Sequence, residues 1–154
     1  RMETSPTGFS GLFSGADILN MTIATLEKWH DIVRTRNLKA LDALLADDVV
    51  FHSPVVHKPQ VGKAVTMQYL SAAFYVFFNA TFQYLRETTS SYDAILEFTV
   101  DIDGISVNGV DMLKWNDEGK IVEFKVMIRP LKAIQLIHQK MGEMLAAQQQ
   151  VKSD

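Results

Sequence analysis

The chain has 154 residues, 47% of them hydrophobic and 21% charged, enough for one globular domain with its own core. A formal net charge of −3 with scattered basic residues gives no footprint for nucleic acid. The absence of cysteine excludes a disulfide framework, a thiolate nucleophile and a cysteine zinc site, and fits a cytoplasmic protein.

Residues 1–20 differ from the rest. Pro6, Gly8, Gly11 and Gly15 with Ser5, Ser10 and Ser14 predict a flexible leader or a vector remnant, from which Phe9, Leu12 and Phe13 are free to dock. Residues 21–154 then read as a single domain. From Thr22, Ile23, Leu26, Trp29, Ile32 and Val33 recur at helical spacing and predict a helix to about Arg36. Asn37 is a good cap for a second helix, with Leu38, Leu41, Leu44 and Leu45 on one face and an end near Asp47. Val49 to His52 is a short strand closed by Ser53-Pro54. A loop through His57, Pro59 and Gly62 leads to a third helix, from about Lys63 into the aromatic run Phe74–Phe78.

The period then changes from 3.6 to 2. Phe82 and Tyr84 begin one strand. Ala94, Leu96, Phe98, Val100 and Ile102 alternate with more polar residues in the next, and Asp103-Gly104 is a two-residue hairpin signal. The following strand carries Gly109, Asp111, Leu113 and Trp115 on one face. After a turn at Asn116–Gly119, Val122, Phe124, Val126 and Ile128 share a face of the last strand. Pro130 suits the first turn of a closing helix presenting Leu131, Ile134, Ile137 or His138, Met141 and Leu145, which frays at Gln148–Gln150. Helices followed by consecutive antiparallel strands predict an α+β fold. No apolar stretch is long enough to span a bilayer, so no membrane is expected, and no segment has the layout of a secretory signal.

Asp111 is the residue that points to function. A carboxylate on an apolar strand face costs at least several kcal/mol to bury ionised and unpaired, more than the roughly 2–7 kcal/mol of a neutral polar group. It requires a partner, a raised pKa or a wet cavity, and the last is how a ligand site is built.

Two stretches carry a resemblance: Leu38-Lys39-Ala40-Leu41-Asp42-Ala43-Leu44-Leu45-Ala46-Asp47-Asp48-Val49-Val50-Phe51, and Val110-Asp111-Met112-Leu113-Lys114-Trp115-Asn116-Asp117-Glu118-Gly119-Lys120-Ile121. They resemble the nuclear transport factor 2-like superfamily, with the SnoaL-like polyketide cyclases and ketosteroid isomerases as nearest comparisons. The resemblance, over about Ile23 to Arg129, implies a cystatin-like cone: a curved antiparallel sheet wrapped around N-terminal helices and closed by a C-terminal helix. Asp111 falls on the isomerases' hydrogen-bond-donor aspartate, a carboxylic acid kept neutral by its apolar site. Trp29 falls on their donor tyrosine and Ser53 on their basic aspartate. Serine cannot take a proton at neutral pH and indole can only donate. What the resemblance implies here is a pocket with one acid and one aromatic donor.

The expected catalytic residues are Asp111, with His52 or His57 as an imidazole base where the aspartate is missing. Strand alternation puts His52 opposite to Ser53, and His57 lies in a proline-rich loop. The expected ligand wall is Trp29, Ser53, Tyr69, Phe74, Leu113 and Phe124, although Trp29 and the Phe74–Phe78 run also fit plain core or a dimer contact. His30 and His138 fit surface positions. No metal is expected, since no third ligand has sensible spacing and HExxH is absent. The reading is a small apolar-molecule binder, with isomerase, cyclase or hydratase chemistry at Asp111 as its enzymatic form and no cofactor. The alternative is a non-catalytic dimerisation or association module. A homodimer is expected through the sheet face bearing Lys125, Met127 and Arg129.

Overall fold

The computed structural model describes residues 13–153. In chain order these form α1 (Gly15–Thr35), α2 (Leu38–Leu44), β1 (Leu45–His52), β2 (Gln60–Val61), α3 (Lys63–Phe77), β3 (Gln83–Thr89), β4 (Asp93–Ile102), β5 (Ile105–Trp115), β6 (Ile121–Arg129) and α4 (Leu131–Ser153). One curved six-stranded sheet runs β2-β1-β6-β5-β4-β3, with β1–β6 its one parallel pairing among the described residues. The α+β class read from the residues, and the curved sheet with N-terminal helices and a C-terminal helix that the resemblance implied, are the observed architecture.

α1 starts at Gly15, seven residues ahead of the predicted Thr22. Ser14 makes this start: its Oγ accepts from the Asp17 N–H, and the Asp17 carboxylate accepts from the Ser14 N–H. The rest of the expected leader, Phe9 and Leu12 included, lies outside the described residues. The buried stripe of α1 is Thr22, Thr25, Trp29 and Ile32, and Ile23 is 45% exposed. Two hydroxyls take the place of the expected isoleucine. Thr22 donates to the Ser91 carbonyl at 2.8 Å and Thr25 to the Gly119 carbonyl at 3.0 Å. Both lie in turns at one end of the sheet, so they fix the rotation of α1 and aim Trp29 inward.

Asn37 caps α2 as predicted, accepting from the Ala40 N–H at 3.0 Å. The helix ends at Leu44, not near Asp47, because Leu45 is already extended and pairs with Ile121. The two stretches that carried the family resemblance meet here. Lys120 Nζ also donates to the Ala43 carbonyl at 2.7 Å, satisfying a helix-end acceptor.

β4 and β5 pair residue for residue from Asp93–Lys114 to Ile102–Ile105. Asp103 and Gly104 both have positive φ, as a two-residue hairpin turn requires. In β6 the register shifts between the Lys114–Glu123 and Trp115–Ile121 pairs. Val122 is the extra residue of that bulge, so Ile121 and Phe124, not Val122 and Phe124, are buried. In α4 the buried stripe is Ala133, Ile137 and Met141, with Leu131 69% exposed. Pro130 stands just ahead of the helix, its carbonyl accepting from Ala133 and Ile134 N–H.

The core has two parts. One gathers Trp29, Leu41, Leu45, Phe51, Trp115 and Phe124 under α1 and α2. The other gathers Ala72, Phe77, Phe98, Val107, Ala133 and Ile137 between the sheet and α3 and α4.

Candidate functional site

A narrow cavity of about 50 Å³ is walled by side chains from both parts of the core. Trp29, Phe51, Leu70, Phe74 and Phe124 line it from one part, and Phe77, Phe98, Ile137 and Met141 from the other. Ser53, Pro54 and Val55 contribute the loop after β1, and Asp111 reaches it from the sheet. Among the described residues Asp111 is the one ionisable side chain in this wall.

β5 delivers Asp111 through strict alternation: Val107, Gly109, Asp111, Leu113 and Trp115 are all buried on the concave face. The carboxyl is 8% exposed and has no ion-pair partner among the described residues. Burial pushes its pKa up to about 7, against the opposing effect of one hydrogen bond from Tyr84. That bond runs from the Tyr84 hydroxyl to Oδ2 at 2.7 Å. Trp29 Nε1 in turn donates to the Tyr84 oxygen at 3.0 Å. Burial, then the Asp111 charge, hold the Tyr84 phenol well above its ordinary pKa, so it stays a donor. Oδ1 of Asp111 has no protein donor among the described residues, and the wall that Asp111 shares is apolar apart from Ser53 and the edge of Trp29.

The expected aromatic donor is therefore present but one step removed. Trp29 Nε1 donates to Tyr84, not to Asp111; the ring packs on Phe124, centroids 5.0 Å apart. Tyr84 carries no role in the sequence reading. The signal was its place beside Phe82 at the start of a strand, an amphipathic phenol heading for the concave face two strands from Asp111.

Of the other expected residues, Trp29, Ser53, Phe74 and Phe124 line the cavity. Tyr69 and Leu113 stand behind the wall: Tyr69 packs on Phe51, ring centroids 5.6 Å apart, and Leu113 sits fully in the core beside Ala94 and Phe124. His52 and His57 do not line the cavity. His52 points its Nε2 toward Glu123, 3.8 Å away, and His57 is exposed in its loop. Ser53 Oγ accepts from the Val55 N–H at 3.2 Å and so shapes the loop. His138 is exposed on α4, and His30 pairs with Glu87 at 2.6 Å with its ring edge-on to Tyr84. Among the described residues no group of three His, Asp or Glu side chains is placed to hold a metal ion, and no helix is long and apolar enough to cross a membrane.

A profile of the SnoaL-like domain matches residues 26–124, which contain α2, the whole of β1 to β5 and Asp111. The chain belongs to the SnoaL-like domain family. Solved structures agree. A steroid delta-isomerase from Pseudomonas aeruginosa superposes with a TM-score of 0.78 at 36% identity, covering 82% of this chain and 93% of that one. A cystatin-like protein from Silicibacter pomeroyi superposes at 0.69 with 27% identity, covering 80% and 84%. An epoxide hydrolase/cyclase-like enzyme of pyran ring formation in salinomycin shares the fold alone, at 0.58 and 15% identity over 73% and 93%. No curated protein sequence matches the chain. This SnoaL-like chain thus has the nuclear transport factor 2-like fold, and it is similar to proteins with isomerase and cyclase names.

Proposed function

We propose that this SnoaL-like domain binds a small, mostly apolar molecule whose single polar oxygen meets Asp111. One observation carries the reading: the mostly apolar cavity is lined by a buried carboxyl with one oxygen uncommitted. The similarity to a steroid delta-isomerase supports the same ligand chemistry, an oxygen at the edge of a hydrocarbon frame. At about 50 Å³ the cavity takes a ring only if its phenylalanines and Met141 change rotamer, which favours flat ligands.

Acid–base chemistry is the extension of this site. A carboxyl near pKa 7 is matched to proton transfer at neutral pH. Because neither His52 nor His57 lines the cavity, Asp111 is the titratable group available among the described residues, and as the acid it donates its proton to the carbonyl oxygen of a bound ketone or enone and takes it back as the ligand leaves. Such a transfer requires no cofactor. Thermal melting with ketones, enones and phenols tests the reading, since a ligand of the native state raises the melting temperature. A shift in wild type that Asp111→Asn alters supports it; no shift with any of them removes it.

The second reading, association, is favoured by Ile95 and Met127, which are 43% and 53% exposed on the outer sheet face. We propose that this face joins two copies in a homodimer, with the cavity on the opposite face of each sheet.

A further inference from the structure

A carboxyl that is the sole ionisable group of an apolar cavity hydrogen-bonds in two senses: protonated it donates, ionised it only accepts. In this chain the two oxygens are divided between two tasks. Oδ2 accepts the Tyr84 hydroxyl at 2.7 Å, and the Tyr84 oxygen accepts the Trp29 indole N–H at 3.0 Å. The indole has no acceptor, so the chain of bonds runs one way, from Trp29 through Tyr84 to Asp111. Turning the phenol toward a ligand would strand Oδ2, which leaves Oδ1 as the atom that a ligand meets.

We propose that Oδ1 of Asp111 reads one oxygen of the ligand and inverts its preference with the proton it carries, ketones and enones binding the carboxyl and phenols the carboxylate. The inference rests on the cavity being a small-molecule site. A ketone has no proton to give and bonds only to the acid. A phenol keeps its proton and donates a charge-assisted hydrogen bond to the carboxylate, so it loses nothing when the acid ionises.

Among the described residues no other ionisable group lines the cavity to mask this switch. Across the ladders it faces Leu96 on β4 and Val126 on β6. α1 supplies Trp29, β3 supplies Tyr84, and α3 and α4 line the cavity with apolar side chains alone. Glu97 and Lys125, the charged neighbours on β4 and β6, alternate to the other face of the sheet. Beyond Tyr84 stand His30 and Glu87, bound to each other and outside the cavity wall. With the carboxyl titrating near 7, the inversion falls in an accessible range of pH.

The experiment is a titration of the full chain with cyclohex-2-enone and with phenol, followed by protein NMR at about pH 5.5 and about pH 8.5. At the higher pH about 3% of Asp111 keeps its proton, so the apparent Kd of the enone rises about thirtyfold while that of phenol holds or falls. Asp111→Asn, whose amide both donates and accepts, binds both probes with a Kd ratio flat in pH. Should that variant not fold, Tyr84→Phe moves the inversion to higher pH, because the bond it removes lowers the carboxyl pKa. Binding of both probes with a ratio constant within about twofold overturns the inversion alone. Binding of neither at either pH overturns the small-molecule reading and the inversion with it.

Discussion

The Tyr84 hydroxyl lies 2.7 Å from Oδ2 of Asp111, and it is the one hydrogen bond among the described residues that stabilises the charged form of that carboxyl. Burial opposes it and wins, so the folded pKa is about 7 against 3.8 for the free side chain. The folded state therefore holds a proton that the unfolded state has released. Asp111 costs no stability below the unfolded value, and its cost grows as pH rises from about 4 to about 7. The full difference is on the order of 4 kcal/mol, about 2–3 of it between pH 5 and pH 8. Asp111→Asn removes this dependence. Urea denaturation of both proteins is expected to show the variant gaining about 2–3 kcal/mol on wild type between those two pH values. Other carboxylates titrate alike in both and cancel.

Tyr84→Phe is expected to act twice. It leaves the buried Trp29 N–H without its acceptor, at a cost of about 1–3 kcal/mol at every pH. It also raises the Asp111 pKa further, which adds a cost on the ionised form alone. The loss of stability should therefore be larger above neutral pH than below it. A loss equal at both would mean that the phenol only braces Trp29.

The core of this arrangement was legible in the sequence because alternation is a strict rule. Period 2 in 94–102 and 107–115 placed Asp111 among Leu113, Trp115 and Gly109, and the observed burial follows it. Two kinds of feature escaped. Bulges add a residue without changing composition, so the exchange of Val122 for Ile121 had no local signal. Polar residues that bury by bonding to distant carbonyls, as Thr22 and Thr25 do, read as surface in a hydrophobic pattern and so gave Ile23 a place it does not hold. Tyr84 combines both difficulties: it sits beside the β3 irregularity, and its partners are 55 and 27 residues away.

The proposed dimer makes its own demand on the outer sheet face. Val110 lies opposite Met127 there, and Met112 opposite Ile95 and Lys125, an apolar patch edged by charge. Met127→Glu puts a carboxylate into that patch without entering the core. Light scattering is expected to give twice the chain mass for wild type and one chain mass for the variant at micromolar concentration. A monomeric wild type removes the dimer proposal.

Gly109 governs how much of the cavity exists beside Asp111. A Cβ on it would lie 2.5 Å from Phe98 Cζ and 2.6 Å from the Met127 carbonyl oxygen, closer than atoms can pack. Phe98 occupies the notch that the missing side chain leaves, stacked on Phe82 with centroids 5.4 Å apart and edge-on to Phe77. In Gly109→Ala the β6 carbonyl is held by its ladder, so the ring is what moves, and it moves into a cavity that it already lines. The variant is expected to lose about 1–3 kcal/mol of stability and to weaken binding of any ring-sized ligand at least about tenfold. Adding Phe98→Leu should restore part of both losses, since the smaller side chain vacates the notch while the contact with the Met127 oxygen persists. A double-mutant cycle reads this as a coupling between positions 98 and 109. Strict additivity would show that the two do not compete for space, and that Gly109 is required only by the backbone of β6.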